Sequence, residues 1–318
     1  MPVNLDKPHR WKGDIARSVD MYNSWFMRFA PTAFRESRSK TIADVEATLR
    51  ATSNLTNIKP IILRHHPGIL SALRMSTCPP LAVDRLIGLS SVPAGLVKTM
   101  EIEKRIPPKM NERECEAQLS KIAAIVEKLA DPDIFVWLRR DPPATDSEVH
   151  RAATIVADRL CGSLANPIIR NAQERRQLEE IKHWLEGRGY HQVAEGTRFH
   201  KMLPGTFAFR MNVPVKLDGT EKTINIPIDA AVMPEHAQPG QLPLLFEAKS
   251  AGDFTNTNKR RKEEATKVAQ LRRNYGADVR FNLFLCGYFN SGYLGYEAAE
   301  GIDWLWEHRI DDFLEFGI

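Results

Sequence analysis

Apolar positions in the first half of the chain recur at intervals of three and four residues; in the second half they gather into short, alternating runs. The first spacing predicts helices and the second predicts strands. Residues 12–30 carry Ile15, Val19, Tyr22, Phe26 and Phe29 along one side of a helix expected to end before Pro31. Residues 39–51 repeat the pattern with Ile42, Val45 and Leu49. From 61 to 100 the apolar pieces are cut by Pro67, Pro79-Pro80 and Pro93, leaving room for only a turn or three of helix each. Glu112-Arg113-Glu114 opens a longer amphipathic helix reaching Leu129, which Asp131-Pro132 stops, and another helix is expected over 145–160. Residues 1–165 thus read as a mostly helical N-terminal domain. Its adjacent His65-His66 cannot converge on one ion and reads as structural.

The pattern changes at Asn166-Pro167, the expected start of a second domain, 166–318. A helix over 168–187, closed by Gly187 and Gly189, has Leu178, Ile181 and Leu185 as its stripe, with Glu174 four residues before Leu178 on the same face. A carboxylate there is solvated near the helix start, or it is paired or bound to a metal. Strands are expected over 190–194, 206–216 and 223–229, the last two joined by a turn at Leu217-Asp218-Gly219-Thr220. A loop over 233–241 leads to a central strand, 242–250. Beyond a polar loop, a helix over 259–275 is expected to bury Ala265, Val268, Ala269 and Leu271, leaving Lys262, Arg272 and Arg273 outward. A core strand over 281–286 and a terminal helix over 304–316 complete the reading.

Side chains alternate faces along a strand, so Glu247 and Lys249 point the same way and Phe246 and Ala248 point into the opposite layer. A hairpin brings Asp229, eighteen residues upstream, to Glu247. Two carboxylates and a backbone carbonyl, that of Ala248, suit a hard cation such as Mg²⁺, which keeps several waters and binds phosphate oxygens. An adjacent Lys positions the attacking water and offsets charge in the transition state. The natural substrate of such a site is a phosphodiester.

Pro227-Ile228-Asp229 followed by Glu247-Ala248-Lys249 resembles the PD-(D/E)xK nuclease superfamily, with one residue separating Pro from Asp where the strict motif has none. The longer string Glu-Ala-Lys-Ser-Ala-Gly-Asp-Phe-Thr-Asn-Thr-Asn-Lys-Arg-Arg-Lys-Glu-Glu-Ala, residues 247–265, is similar to the XamI-type family of Type II restriction endonucleases. The resemblance implies an α/β (α+β) fold with a mixed central sheet flanked by helices. It implies Mg²⁺-dependent cleavage of double-stranded DNA at a short, palindromic site. Asp229, Glu247 and Ala248 would hold the metal, Lys249 would position the water, and Glu174 would be the extra acidic residue that the first helix of this fold supplies. Asn256, Asn258, Lys259, Arg260, Arg261 and Lys262 would contact DNA, and the helical domain would add DNA contact or dimerisation. A homodimer and a cognate DNA methyltransferase are implied as partners. A structure-specific repair or mobile-element nuclease of the same fold, and a non-catalytic DNA-binding protein, are the alternative readings.

Composition narrows this picture only locally. At 318 residues, 43% hydrophobic and 26% charged, the chain is an ordinary globular protein. Its 44 Lys and Arg against 40 Asp and Glu say little in total, but residues 259–273 hold seven basic residues against two Glu, as a phosphate-binding surface requires. The four cysteines form no CxxC pair, which argues against zinc or a disulfide framework and fits a reducing bacterial cytoplasm. No signal peptide or membrane-spanning run is expected.

Overall fold

Six strands hydrogen-bond into one mixed sheet, ordered β1-β2-β3-β4-β5-β6. The fold is that of a computed structural model, which describes every residue except 1, 142, 195, 217–221 and 256, and of residues 163–164 and 257–261 the helical backbone alone. The strands are β1 (His191–Gln192), β2 (Thr206–Lys216), β3 (Thr223–Met233), β4 (Leu244–Ala251), β5 (Phe281–Gly287) and β6 (Asp303–Trp306). β1 runs parallel to β2, and β2, β3 and β4 form an antiparallel meander. From β4 onward the pairing is parallel. Parallel neighbours need crossovers, and the helices Thr257–Tyr275 and Ser291–Ala299 supply them. The turn expected at 217–220 lies outside the described residues.

Contacts divide the chain into two compact units, Met1–Phe29 with Ile169–Ile318, and Ala30–Ile168. Both division points fall within long helices, α1 (Pro8–Ala51) and α7 (Asp146–Glu186). The sequence reading put helix breaks at Pro31 and Pro167, yet each proline lies inside its helix. A proline removes one backbone hydrogen bond and crowds the preceding turn, at about 3 kcal/mol. Packing on both sides outweighs this in α1: Tyr22 and Trp25 precede Pro31 and Val45 and Leu49 follow it, all buried. The sheet unit also takes in the first 29 residues, which a division at 165/166 leaves with the helical part. Val3 and Asn4 donate backbone hydrogen bonds to the Asp303 carboxylate at 2.5 and 2.9 Å, and Asn4 Nδ2 donates to the Trp304 carbonyl at 2.8 Å, which covers the edge strand β6.

The helical unit holds α2 (Pro60–His65), α3 (Leu70–Met75), α4 (Val83–Ser90), α5 (Ala94–Lys98) and α6 (Glu112–Leu129), the short pieces falling where the prolines cut the pattern. Asn111 caps α6, accepting from the Glu114 N–H at 2.8 Å. Leu63, Leu73, Leu86, Leu119, Ile122 and Phe135 are fully buried in its core.

Each face of the sheet has its own core. On one, Val268 and Leu271 of α8 (Thr257–Tyr275) and Tyr293 and Leu294 of α9 (Ser291–Ala299) cover Leu245, Leu283 and Leu285. On the other, Leu178, Ile181 and Leu185 of α7 and Phe313 and Phe316 of the terminal segment cover Phe246, Phe284 and Leu305. The terminal helix expected over 304–316 is instead strand β6 followed by a 3₁₀ segment, Glu307–Phe316. A short run such as Trp304-Leu305-Trp306 fits a buried strand as well as a helix, and pairing with β5 decides it. Phe313 packs against Trp184, Phe246 and Phe284 at centroid distances of 5.0, 5.1 and 6.3 Å. Phe313→Ala is expected to lower the unfolding free energy by about 3–5 kcal/mol, as read from urea melts.

One level of the sheet breaks the alternation of faces. Ala208 of β2 and Ala231 and Met233 of β3 face the α8 layer, while Phe207, Ala230 and Val232 face the α7 layer. Past Arg210 and Asp229 the phase shifts in both strands: Met211, Val213 and Val215, and Ile226 and Ile228, now face the α8 layer. Pairing continues without a slip, Phe209 with Ala230 and Met211 with Ile228, so Arg210 and Asp229 stand opposite each other as the shared extra residues. Arg210 takes a left-handed φ of 51°, a strain on the order of 1 kcal/mol for a residue with a side chain. Beyond this level the other face of the ribbon, including Asn212, Pro214, Asn225 and Pro227, is exposed.

Candidate active site

β4 carries Glu247 and Lys249 side by side on the α8 face, as their spacing predicts, and its neighbour β3 delivers Asp229. The β3–β4 register, Ala230 with Phe246 and Ala231 with Leu245, extends to place Asp229 across from Glu247. Asp229 Oδ2 accepts from the Ala248 backbone N–H at 2.9 Å, which fixes its carboxylate beside the Glu247-Ala248-Lys249 strand. Phe246 and Ala248 enter the opposite layer.

The electrostatics are those of closely packed acids and lysines. Burial, then the charge of Glu247, pushes the Asp229 carboxyl up to about 6, against the backbone hydrogen bond from Ala248 and the charge of Lys249. Lys249 Nζ lies 3.1 Å from Glu247 Oε1 and 3.2 Å from Glu264 Oε1. Burial works against its charge, but these two carboxylates outweigh it and hold the ammonium above its ordinary value. Glu247 Oε1 takes a second lysine, Lys267 Nζ, at 2.6 Å. Its other oxygen, Oε2, is buried and makes no hydrogen bond with the described residues. Glu264, fully buried, also accepts from the Tyr293 hydroxyl at 2.8 Å. Behind it, burial and the charge of Glu264 push the Glu297 carboxyl well above its ordinary range.

Glu174 stands at the edge of this group. It pairs with Arg210 Nη2 at 3.2 Å, and its charge contributes to the raised Asp229 carboxyl. Lys262 is exposed on α8. Asn256 and the side chains of Asn258, Lys259, Arg260 and Arg261 lie outside the described residues. Arg272 is not outward and free: it donates to the Glu300 and Gly301 carbonyls at 2.8 and 3.0 Å. His65 and His66 are exposed in the helical unit, and no group of three or more His, Cys, Asp and Glu among the described residues is placed to hold a metal.

Sequence reasoning missed Glu264, Lys267, Tyr293 and Glu297. The first two sit on α8, whose buried positions among the described side chains are Glu264, Val268 and Leu271, while Ala269 is exposed. The signal was there: Glu264 lies four residues before Val268 and seven before Leu271, completing the stripe.

The two carboxylates fit a hydrated divalent cation. Asp229 and Glu247 are two acids on adjacent strands, one with an orphaned buried oxygen and the other with a proton affinity raised by its neighbour's charge. Two carboxylates with the Ala248 carbonyl leave the remaining positions of a hard divalent ion to water.

Comparison with known proteins adds a lineage to this geometry. The family model "XamI restriction endonuclease" matches residues 53–306. The Type II restriction enzyme SalI of Streptomyces albus G is 52% identical over 312 residues, spanning 98% of this chain and 98% of that enzyme. Among solved structures, protein VC1899 from Vibrio cholerae aligns at 13% identity and a TM-score of 0.30, over 80% of this chain and only 55% of that protein, a likeness too slight to bear on the fold.

Proposed function

The chain belongs to the XamI restriction endonuclease family, and we propose that it cuts both strands of double-stranded DNA at a short palindromic site, with Asp229, Glu247 and Lys249 at the reacting phosphate. As a Type II restriction endonuclease it is a site-specific deoxyribonuclease. The observation that supports this assignment of residues is the convergence of Asp229, Glu247 and Lys249 on adjacent strands, with Asp229 held by the Ala248 N–H at 2.9 Å.

Asp229 and Glu247, with the Ala248 carbonyl, would hold Mg²⁺. That ion would supply charge neutralisation at the phosphate and acidify a coordinated water. Lys249 stays an ammonium between Glu247 and Glu264, so it acts by donation. Its Nζ protons orient the attacking water and offset the negative charge that grows on the non-bridging phosphate oxygens. Glu264, itself held by the Tyr293 hydroxyl, keeps that ammonium in place from behind. The exposed Lys262 and the basic residues 259–261 begin α8, so their charge and the positive end of the helix favour the DNA backbone.

A palindromic site is matched by a two-fold pair of identical subunits, which makes the working form a homodimer. A cognate DNA methyltransferase is the functional partner that protects host DNA, and the cytoplasm is the compartment that holds the substrate. Among the described residues no helix is long and apolar enough to cross a membrane.

Digestion of unmethylated phage DNA by the purified protein tests the reading. Discrete, reproducible fragments are expected with Mg²⁺ and none with EDTA. A smear, or fragments that persist in EDTA, would exclude a metal-assisted site-specific enzyme.

A further inference from the structure

We propose that the cleft between β2 and the loop after β1 is a base-reading site, in which Arg198 and Asn212 recognise base edges next to the cut phosphate. This rests on the endonuclease reading and deepens it, because it says where on the surface sequence is read. The cleft has a volume of about 610 Å³, and Gln192, Thr197, Arg198, Phe209, Arg210 and Asn212 are among its lining residues.

Three observations support it. The first is position. Arg210 stands across the β2–β3 ladder from Asp229, so one end of the cleft abuts the candidate catalytic carboxylates. Asn212 is two residues further along β2, about 7 Å at strand rise, which matches two base-pair steps. The bases within its reach are therefore those flanking the phosphate at Asp229.

The second is the fold itself. The joint phase shift at Arg210 and Asp229 turns the distal ribbon so that its apolar residues pack on the α8 side and its polar face, with Asn212 and Asn225, is left to solvent. Two-stranded ribbons of this kind fit a DNA groove. The left-handed backbone of Arg210 holds this turn in the middle of an otherwise regular ladder. Strained residues of this sort concentrate at functional sites.

The third is chemistry. Among the described lining residues both charged side chains are arginines, which complements a polyanion. Arg carries paired hydrogen-bonding groups that match the major-groove edge of guanine, and Asn, like Gln, carries a pair that matches adenine. Gln192, Arg198 and Asn212 are exposed, and their side chains make no hydrogen bond or ion pair with the described residues. Arg210 differs, being held by Glu174 at 3.2 Å. The free donors are thus Gln192, Arg198 and Asn212, none of them among the residues assigned to metal or water, and of these Asn212 is the one on the ribbon that carries Arg210.

The test uses the full-length protein. Cut sites are first mapped on phage DNA with the wild type; duplexes carrying that site, or the site with one base pair changed, are then cleaved by the wild type, Asn212→Ala and Arg198→Ala. Each variant is expected to cut the mapped site about ten-fold or more slowly, with a smaller preference for it over one of the changed duplexes. Wild-type rates and preferences in both variants would overturn the proposal. So would equal slowing on every duplex with a shallower salt dependence, which marks backbone contact alone. A wild type that cuts no DNA would instead overturn the endonuclease assignment on which the proposal stands.

Discussion

Lys249→Ala is expected to slow single-turnover cleavage about 10³-fold while the protein stays folded and binds its site in a gel-shift assay. Lys249 is the ammonium between Glu247 and Glu264, at 3.1 and 3.2 Å, and its side chain is only 16% exposed. Removing it takes away the donor for the attacking water. The surroundings are built to survive the loss. Glu247 keeps Lys267 at 2.6 Å, and Glu264 keeps the Tyr293 hydroxyl at 2.8 Å. Glu247 thus keeps a cation and Glu264 a hydrogen-bond donor, which reduces the penalty of an unpaired buried charge. Cleavage within ten-fold of the wild type would mean that Lys267, the other ammonium on Glu247, does the work assigned to Lys249.

That outcome would matter because the sequence made one lysine visible and hid the other. Glu247 and Lys249 are legible since a strand has a period of two, which puts them on one face wherever the strand lies. Asp229 was legible because β3 and β4 are neighbours in an antiparallel meander. Lys267 and Glu264 reach the same place from α8, more than a dozen residues downstream, and no local spacing ties a helix residue to a strand across a crossover. Assigning Ala265, Val268, Ala269 and Leu271 to the buried face placed Val268 and Leu271 rightly and Ala269 wrongly, and it passed over Glu264, which is buried beside them. A hydrophobic template passes over an acid that is buried because a lysine and a tyrosine satisfy it.

The prolines misled in the opposite direction. Pro31 and Pro167 are the strongest local stop signals in their stretches, and both stand inside long helices. The loss of one backbone hydrogen bond is local, while the packing of the flanking turns is summed over many residues. The phase shift at Arg210 was invisible for a related reason. It adds one residue to each strand, so the Arg210 and Asp229 pairing position keeps the register and leaves only a change of face.

Asp229→Asn is expected to abolish cleavage and, in EDTA at pH 8, to raise the unfolding free energy by on the order of 2 kcal/mol. Burial and the neighbouring Glu247 lift the Asp229 carboxyl from its ordinary 3.8 to about 6 in the folded protein. A carboxyl raised on folding binds its proton more tightly folded than unfolded. Its contribution to stability is therefore full below pH 4, declines as pH rises, and is lost above about 6, where the folded protein carries a charge it disfavours. Asparagine carries no such charge, yet its carbonyl can still accept from the Ala248 N–H that Asp229 Oδ2 accepts at 2.9 Å. The gap between variant and wild type should accordingly be widest at pH 8 and close near pH 4, as read from urea melts. Added Mg²⁺ should stabilise the wild type by mass action and leave the variant where it was. An Asp229→Asn protein less stable than the wild type at pH 8 in EDTA would show that the carboxylate is already paired without a cation, and would remove Asp229 from the proposed metal site. The expected result is the opposite, a site whose acids are kept together at the expense of stability because the reaction requires them charged.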